Sequence, residues 1–338
     1  MHRTKRLWRF VAHQGLDESG LTKRLTRLSI SVCRSAGLLL PVIIDLTYFN
    51  SFAVFSASVP RSGRALPIAW RVFSRNLDDE RVLSQNHLIE GVLLKMRERL
   101  AKAIKPIIIG DREFARASLF RWLIREDMHF VIRVDAETWV LHPSYSGPLS
   151  GLVIRPGGPR IWLPATCYGK EEQVPVNLLA MWSMGQREPW CISSDLNDPS
   201  QIERLYRKRM KIEHGFRDWK HQLRLKGTAK VRSAGSMGRL ISAVIVLYWY
   251  VCLIAVRLKG HPCTVEVQAW GRLGECKLGI ELLELDSKAV SNTAQRLILW
   301  ARDKLFALAT HSFLQTPLPP LPPSATSNWV MVSISDCV

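Results

Sequence analysis

The chain has 338 residues, of which 47% are hydrophobic and 22% charged, a composition typical of a globular protein with a sizeable core. Lys and Arg number 47 against 29 Asp and Glu, and the formal net charge is +18. This excess favours a polyanionic partner, either nucleic acid or an anionic membrane surface. The seven Cys include no Cys-x-x-Cys pair, which argues against a disulfide framework or a structural zinc site and fits a reducing cytosol.

Residues 1–37 are predicted to be a short basic helical segment. The basic first ten residues are not followed by an apolar run, so we do not interpret them as a signal peptide. Over residues 19–36 the apolar side chains recur every three or four positions, at Leu21, Leu25, Leu28 and Val32. This spacing predicts an amphipathic helix with a basic outer face, which either grips a DNA backbone or only packs on the main domain.

Three β-prone segments at 38–49, 52–59 and 65–73 are separated by turn-forming residues, and we predict an antiparallel meander. The first segment is apolar almost throughout, as expected of a central strand, and Asp45 interrupts it near its end. A buried carboxylate without a partner is costly, so Asp45 needs a cation, a metal or a hydrogen-bond network. The alternative is a capping or turn aspartate.

A second aspartate follows a second apolar strand. We predict a helix over 87–104, a strand over 105–109 that ends at Gly110 and Asp111, a helix over 113–125 and a strand over 130–134. Asp111 either caps the following helix or points outward into a site. Residues 38–134 are therefore predicted to be the first part of a catalytic domain.

Residues 135–195 contain several Pro and Gly and several β-prone runs, and we predict a β-rich insertion there. Residues 196–315 are then the second part of the domain, with further helices within 275–312. Residues 241–256 are apolar but shorter than the roughly 20 residues that span a bilayer, so we predict a core helix and no membrane partner. The Pro-rich tail at 316–338 is predicted to be disordered.

Residues 201–222 lack Pro and contain one Gly, and we predict a helix. At 100° per residue, four polar side chains share a stripe about 60° wide: Tyr206, Arg209, Glu213 and Lys220. An apolar stripe lies beside it, formed by Leu205, Ile212, Phe216 and Trp219. One carboxylate flanked by a phenol, a guanidinium and an ammonium indicates a phosphate-handling site. An ordinary basic surface helix is the alternative.

Together, Asp45 and Asp111 follow apolar strands and Glu213 lies on a helix after the long insertion. Divalent cations such as Mg²⁺ prefer oxygen ligands, and phosphoryl chemistry often uses two ions about 3.5–4 Å apart. Three carboxylates from these elements suit such a pair of ions, and the surrounding positive charge suits a phosphodiester backbone.

The spacing of the helical stripe, Tyr206-x2-Arg209-x3-Glu213-x6-Lys220, resembles the Tyr-Arg-Glu-Lys signature of the insertion sequence four family of bacterial DDE transposases. Residues 45–47 and the run Gly110-Asp111-Arg112-Glu113-Phe114 resemble that family's first and second Asp regions. The resemblance covers roughly residues 38–260. It implies an α/β fold with a ribonuclease H-like mixed sheet flanked by helices and a β-rich insertion before the helix that carries the catalytic Glu.

The resemblance also implies the activity, which is cleavage of DNA at transposon ends and joining of the freed 3′-OH to target DNA. Asp45, Asp111 and Glu213 would bind two Mg²⁺ ions, with Mn²⁺ as a substitute. The phosphate-binding residues would be Tyr206, Arg209, Lys220 and Arg112. Transposon-end and target DNA are the implied partners, a homodimer on DNA is one implied assembly, and the implied location is the bacterial cytoplasm at the nucleoid.

In related transposases the β-rich insertion helps to bind end DNA, and an inserted Trp can assist a hairpin intermediate. Trp162, Trp182 and Trp190 are available in the insertion for this role, and the sequence does not choose among them. Only about 37 residues precede the catalytic fold, fewer than is usual in this family, and the tail is not typical of a dimerisation domain. A metal-dependent nuclease of the same fold and a catalytically inactive DNA-binding remnant or repressor therefore remain alternatives.

Overall fold

The computed structural model describes residues 18–32, 39–61, 63–75, 85–223, 225, 231–258, 276–277 and 279–280. The basic first residues and the Pro-rich tail at 316–338 lie outside the described residues. The same holds for nearly all of the segment 275–312, where further helices are predicted.

In the described part of the chain, ten strands form one sheet in the order β3-β2-β1-β4-β5-β10-β9-β8-β6-β7. The strands are β1 Leu39–Phe49, β2 Phe52–Arg61, β3 Arg64–Ser74, β4 Lys105–Gly110, β5 His129–Val134, β6 Trp139–His142, β7 Tyr145–Pro148, β8 Ile161–Tyr168, β9 Val174–Met181 and β10 Trp190–Ser194. β1, β2 and β3 pair antiparallel, which confirms the predicted meander. β4 pairs parallel with both β1 and β5, so the sheet is mixed.

The helices that flank the sheet are α1 Glu18–Val32, α2 Gln85–Arg99, α3 Ala117–Arg125, α4 Pro199–Tyr206, α5 Met210–Arg217 and α6 Ala234–Leu258. β2 and β3 are buried along almost their whole lengths. They lack the alternation of buried and exposed residues that is typical of a strand with one face in solvent. Both faces of the sheet are therefore covered here. α1, for example, reaches β3 through Thr26 Oγ1, which donates to the Ile68 carbonyl at 3.3 Å.

The predicted β-rich insertion continues the main sheet. β10 pairs antiparallel with β5, and β9 and β8 follow it in order. The predicted fold class, a ribonuclease H-like mixed sheet flanked by helices with a β-rich insertion before the Glu-bearing helix, is confirmed. The domain boundaries at residues 38, 135 and 196 stay predictions.

The predicted core helix corresponds to α6. Its segment Ala234–Cys252 is long and apolar enough to cross a bilayer, and 56% of its most apolar window is buried within the fold. Two tryptophan contacts tie it to β3: Trp70 Nε1 donates to Ser242 Oγ at 3.1 Å, and Trp249 Nε1 donates to the Pro67 carbonyl at 2.7 Å. These contacts are typical of a helix packed in a protein core.

The predicted segment 38–49 agrees with β1, but one expectation about the site is wrong, because Asp45 does not close the strand. Asp45 was expected near the end of its strand, but β1 continues to Phe49 because β2 pairs with it as far as Phe49↔Phe52. The parallel pairing of β1 with β4 stops at Ile43↔Ile109. Asp45 and Asp111 each lie two residues beyond this last pair. They are therefore level with each other at the carboxyl end of β4.

Candidate active site

The three predicted carboxylates converge on a single guanidinium group, that of Arg209. Its Nη1 lies 3.6 Å from Asp45 Oδ2 and 3.4 Å from Asp111 Oδ2. Its Nη2 donates to Glu213 Oε1 at 2.5 Å. Three acids that are far apart in the sequence thus share one positive charge, and the site carries a net negative charge.

The helical segment that carries Arg209 and Glu213 is continuous but irregular. Asp198 caps its start by accepting from the Ser200 amide at 2.8 Å, with Pro199 in the first turn. A 3-10 turn at Arg207–Arg209 separates α4 from α5, and a π turn at Asp218–Gln222 ends the segment. The predicted apolar stripe is buried as expected, with Leu205, Ile212, Phe216 and Trp219 in the core.

The two irregular turns change the relation between the predicted polar residues, because 3-10 and π turns advance the chain by angles other than 100° per residue. Lys220, on the π turn, places its Nζ 5.4 Å from the centroid of the Phe49 ring at the end of β1. The stripe is therefore less regular than the sequence predicts: Arg209 and Glu213 are in direct contact, while Lys220 lies beside β1.

Asp45 is the most enclosed of the three acids, with 14% of its side chain exposed. Burial raises the pKa of Asp45 from 3.8 to about 7, and the negative charges of Asp111 and Glu213 act in the same direction. Arg209 and the Leu46 amide, which donates to Asp45 Oδ1 at 2.8 Å, lower the pKa but do not offset the burial. The raised pKa of Asp45 therefore reflects mainly the enclosure of its carboxylate, which the single guanidinium of Arg209 does not offset.

Asp111 caps a 3-10 turn and leaves one oxygen for the site. Its Oδ1 accepts from the Arg112 amide at 2.8 Å, and its Oδ2 faces Arg209. It does not cap α3, which follows Arg116 without a side-chain cap. The preceding Gly110 allows the turn to pack closely, because a Cβ there would lie 3.2 Å from the Phe114 ring.

Tyr206 lies behind the acids rather than on an open surface, with 3% exposure. Its ring packs edge-on against Trp190, with centroids 4.9 Å apart. Burial and the negative charge of Asp111 raise the pKa of Tyr206, while the positive charges of Arg209 and Arg133 oppose the shift. The phenol is therefore held neutral and in a fixed position.

Arg133 and Glu188 are residues of this region that the sequence reasoning missed. Arg133 lies on β5, where its Nη2 lies 2.7 Å from Glu188 Oε1 and donates to the Pro189 carbonyl at 3.3 Å, and its positive charge lowers the pKa of Tyr206. Arg133 could have been found from the sequence, because it is the one charged residue in the apolar run 130–134 and a buried guanidinium requires partners.

The other predicted site residues differ in exposure. Arg112 is 54% exposed, and its Nη1 lies 3.4 Å from Asp135 Oδ1. Among the candidate tryptophans, Trp190 contacts Tyr206 and also lies under the Arg207 guanidinium at 5.6 Å. Trp182 instead donates to the Gln186 carbonyl at 3.0 Å within a turn of the insertion.

The family model of the transposase DDE domain matches residues 57–249, more than half of the chain. The chain belongs to this family. The matched part of the transposase domain contains Asp111 and Glu213 and begins after Asp45. No curated protein matches the chain.

The chemistry of the carboxylate groups decides whether this site can bind a divalent metal ion. Within the described ranges, no group of three His, Cys, Asp or Glu side chains is close enough to hold a metal ion. The carboxylates of Asp45, Asp111 and Glu213 are instead spread around the Arg209 guanidinium. Chemically they fit, because oxygen donors with excess negative charge are what Mg²⁺ and Mn²⁺ prefer, and movement of Arg209 would free all three.

Proposed function

We propose that this transposase belongs to the insertion sequence four type, cleaves transposon-end DNA and joins the freed 3′-OH to target DNA. The observation that carries the proposal is the convergence of Asp45, Asp111 and Glu213 on one guanidinium. The spacing from Tyr206 to Lys220 supports the subfamily assignment. The surplus of positive charge suits the DNA substrates.

Asp45, Asp111 and Glu213 are proposed to hold two Mg²⁺ ions, with Mn²⁺ as a substitute. When bound, such ions activate the attacking oxygen and stabilise the leaving oxygen of an in-line displacement. Asp45 is fixed by the Leu46 amide and Asp111 by the Arg112 amide, so each presents its Oδ2 to the site. Glu213 comes from a helix and closes the third side.

Arg209 is proposed to exchange partners during DNA binding. In the free protein its guanidinium pairs with all three acids, and when cations bind the acids it is released to a DNA phosphate. The planar fork of an arginine suits two phosphate oxygens at once. Lys220 and Arg112 are proposed to contact phosphates further along the strand. Tyr206, whose buried ring packs against Trp190, is also proposed as a phosphate-binding residue.

The proposed partners are transposon-end and target DNA, with a homodimer assembled on DNA. The proposed location is the bacterial cytoplasm at the nucleoid. We propose no membrane partner, since α6 packs against β3.

A strand-transfer assay tests the proposal. The protein is incubated with Mg²⁺, a labelled pre-cut DNA end from the sequence that flanks its gene, and a target plasmid. A transposase produces labelled plasmid in which the end is covalently joined. Hydrolysis without joining would favour the nuclease alternative, and DNA binding without either reaction would favour the inactive remnant.

A further inference from the structure

Tyr48 is a large aromatic side chain at the surface of the transposase domain, 44% exposed, one residue before the end of β1 and its hairpin. An exposed aromatic ring is ordinary when it is isolated and free to move. Tyr48 is neither, because two charged residues from separate parts of the chain hold it.

The first contact fixes the hydroxyl end of the ring. Tyr48 OH donates to Glu113 Oε1 at 3.0 Å, and Glu113 lies in the 3-10 turn that Asp111 caps. The second contact fixes the ring itself. The Arg75 guanidinium lies 5.0 Å from the ring centroid, a cation–π distance, and the Arg75 amide donates to the Ser51 carbonyl of the hairpin at 2.8 Å.

The location connects the ring to the acids. Tyr48 is three residues beyond Asp45 on β1, roughly 10 Å along the strand, and its side chain leaves the opposite face of the sheet. Glu113 is two residues beyond Asp111. Because Tyr48 is on the opposite face of the sheet from Asp45, a DNA strand bound at the acids reaches this ring where it continues around the carboxyl end of β4, beside the turn that holds Asp111 and Glu113.

We infer that Tyr48, with Arg75, is a stacking site for an unpaired or terminal nucleobase of the DNA strand bound at the acids. A rigid aromatic face binds any base by stacking, and a neighbouring guanidinium suits the attached phosphate. Strand cleavage leaves a terminal base without one stacking neighbour, which is the chemistry that such a surface complements. This inference rests on the proposed function, because it takes DNA as the ligand.

A purely structural role is the competing explanation, in which Tyr48 serves only to hold Glu113 and the turn that carries Asp111. The two roles differ in which part of the side chain matters. A structural clamp needs the hydroxyl, whereas a stacking site needs the ring. They also differ in the ligand, since only a stacking site distinguishes DNA with bases from the same backbone without bases.

The test measures affinity in EDTA for two single-stranded probes of about 20 nucleotides, longer than a typical single-strand site. One probe is oligothymidylate and the other is an abasic strand with the same phosphates. Tyr48→Ala is expected to weaken oligothymidylate binding about tenfold and to leave binding of the abasic strand unchanged. Tyr48→Phe, which keeps the ring, is expected to retain most of the affinity. Lys220→Ala, a phosphate-contact control, should weaken both probes alike.

Equal losses on both probes with Tyr48→Ala, or a loss with Tyr48→Phe as large as with Tyr48→Ala, would overturn the stacking inference. No loss at all would do the same. If Tyr48→Ala does not fold, the wild-type protein supplies the test through 2-aminopurine placed at successive positions near a DNA end. Quenching at one position supports stacking, and unquenched fluorescence at every position contradicts it. Because EDTA removes metal chemistry, these results are independent of whether Asp111 variants lose cleavage.

Discussion

Arg209 and Asp111 form an ion pair, with Nη1 3.4 Å from Oδ2, and the same guanidinium also contacts Asp45 and Glu213. Arg209 therefore occupies the space between the three acids in the free protein. A cation and Arg209 compete for the same carboxylate oxygens, so metal binding and the release of Arg209 toward DNA are coupled in the proposed reaction.

Replacement of Arg209 by Met removes the competing charge while keeping most of the side-chain volume. We expect Mn²⁺ to bind about tenfold more tightly in the absence of DNA, since one nearby charge commonly contributes about 1.4 kcal/mol at a partly buried site. Isothermal titration calorimetry measures this affinity. Arg209→Lys keeps the charge and should change Mn²⁺ affinity less, and both variants should lose strand transfer because neither provides the planar fork. Unchanged Mn²⁺ affinity in Arg209→Met would contradict the competition.

The fold depends on a second ion pair, between β3 and the π turn that follows α5. Arg64 Nε lies 2.5 Å from Asp218 Oδ2, with 17% and 5% of the two side chains exposed. Asp218→Ala leaves the guanidinium partly buried without its partner, and we expect a loss of about 3–5 kcal/mol in the free energy of unfolding. Urea denaturation measures it. Glu172→Ala, which breaks the exposed pair with Arg121, should cost less than about 1 kcal/mol. Equal losses in the two variants would rule out this role for Asp218.

The pair formed by His129 and Asp195 makes stability depend on pH. His129 Nδ1 lies 2.6 Å from Asp195 Oδ2, and this hydrogen bond raises the pKa of His129 although partial burial and Lys105 lower it. A raised folded-state pKa stabilises the protein fully below the unfolded value of about 6.5, and the stabilisation is lost as the pH rises through the folded pKa.

Accordingly, the difference in the free energy of unfolding between the wild type and His129→Gln should be larger at about pH 5.5 than at about pH 9. Denaturant titrations at the two pH values provide the measurement. A difference that is the same at both values would show that the charge of His129 contributes nothing. Asp195 Oδ1 also accepts from the Phe130 amide at 2.9 Å, so Asp195 retains one partner in the variant.

The sequence predicts the structure correctly where one strong local pattern of apolar residues determines an element. The apolar runs predicted β1, β4 and β5, and the position of Asp111 after β4 follows from the Gly110 turn. The apolar stripe of the Glu213 segment predicted its buried face correctly. These features depend on local periodicity, which a sequence displays directly.

The remaining features depend on contacts between distant segments. Tyr206 was expected on the phosphate-binding stripe, but it is buried and packs against Trp190, which comes from the strand before it. The end of β1 is set by its pairing with β2, which keeps Asp45 inside the strand. The bond between Tyr48 and Glu113 joins residues 65 positions apart. The residue pattern within one segment cannot predict contacts between residues that are this far apart in the sequence.

The central claim is that Asp45, Asp111 and Glu213 form one metal-dependent catalytic site, and mutation of Asp111 tests it most directly. The measurement is Mg²⁺-dependent cleavage of a supercoiled plasmid that carries the DNA flanking the gene, with DNA binding followed in parallel. Asp111→Asn should lower cleavage by at least about 100- to 1,000-fold with DNA binding nearly unchanged, and Glu213→Gln should do the same. Asp127→Asn is the matched control, because Asp127 pairs with Lys105 at the opposite end of β4. Cleavage by Asp111→Asn at the rate of the Asp127→Asn control would contradict the account.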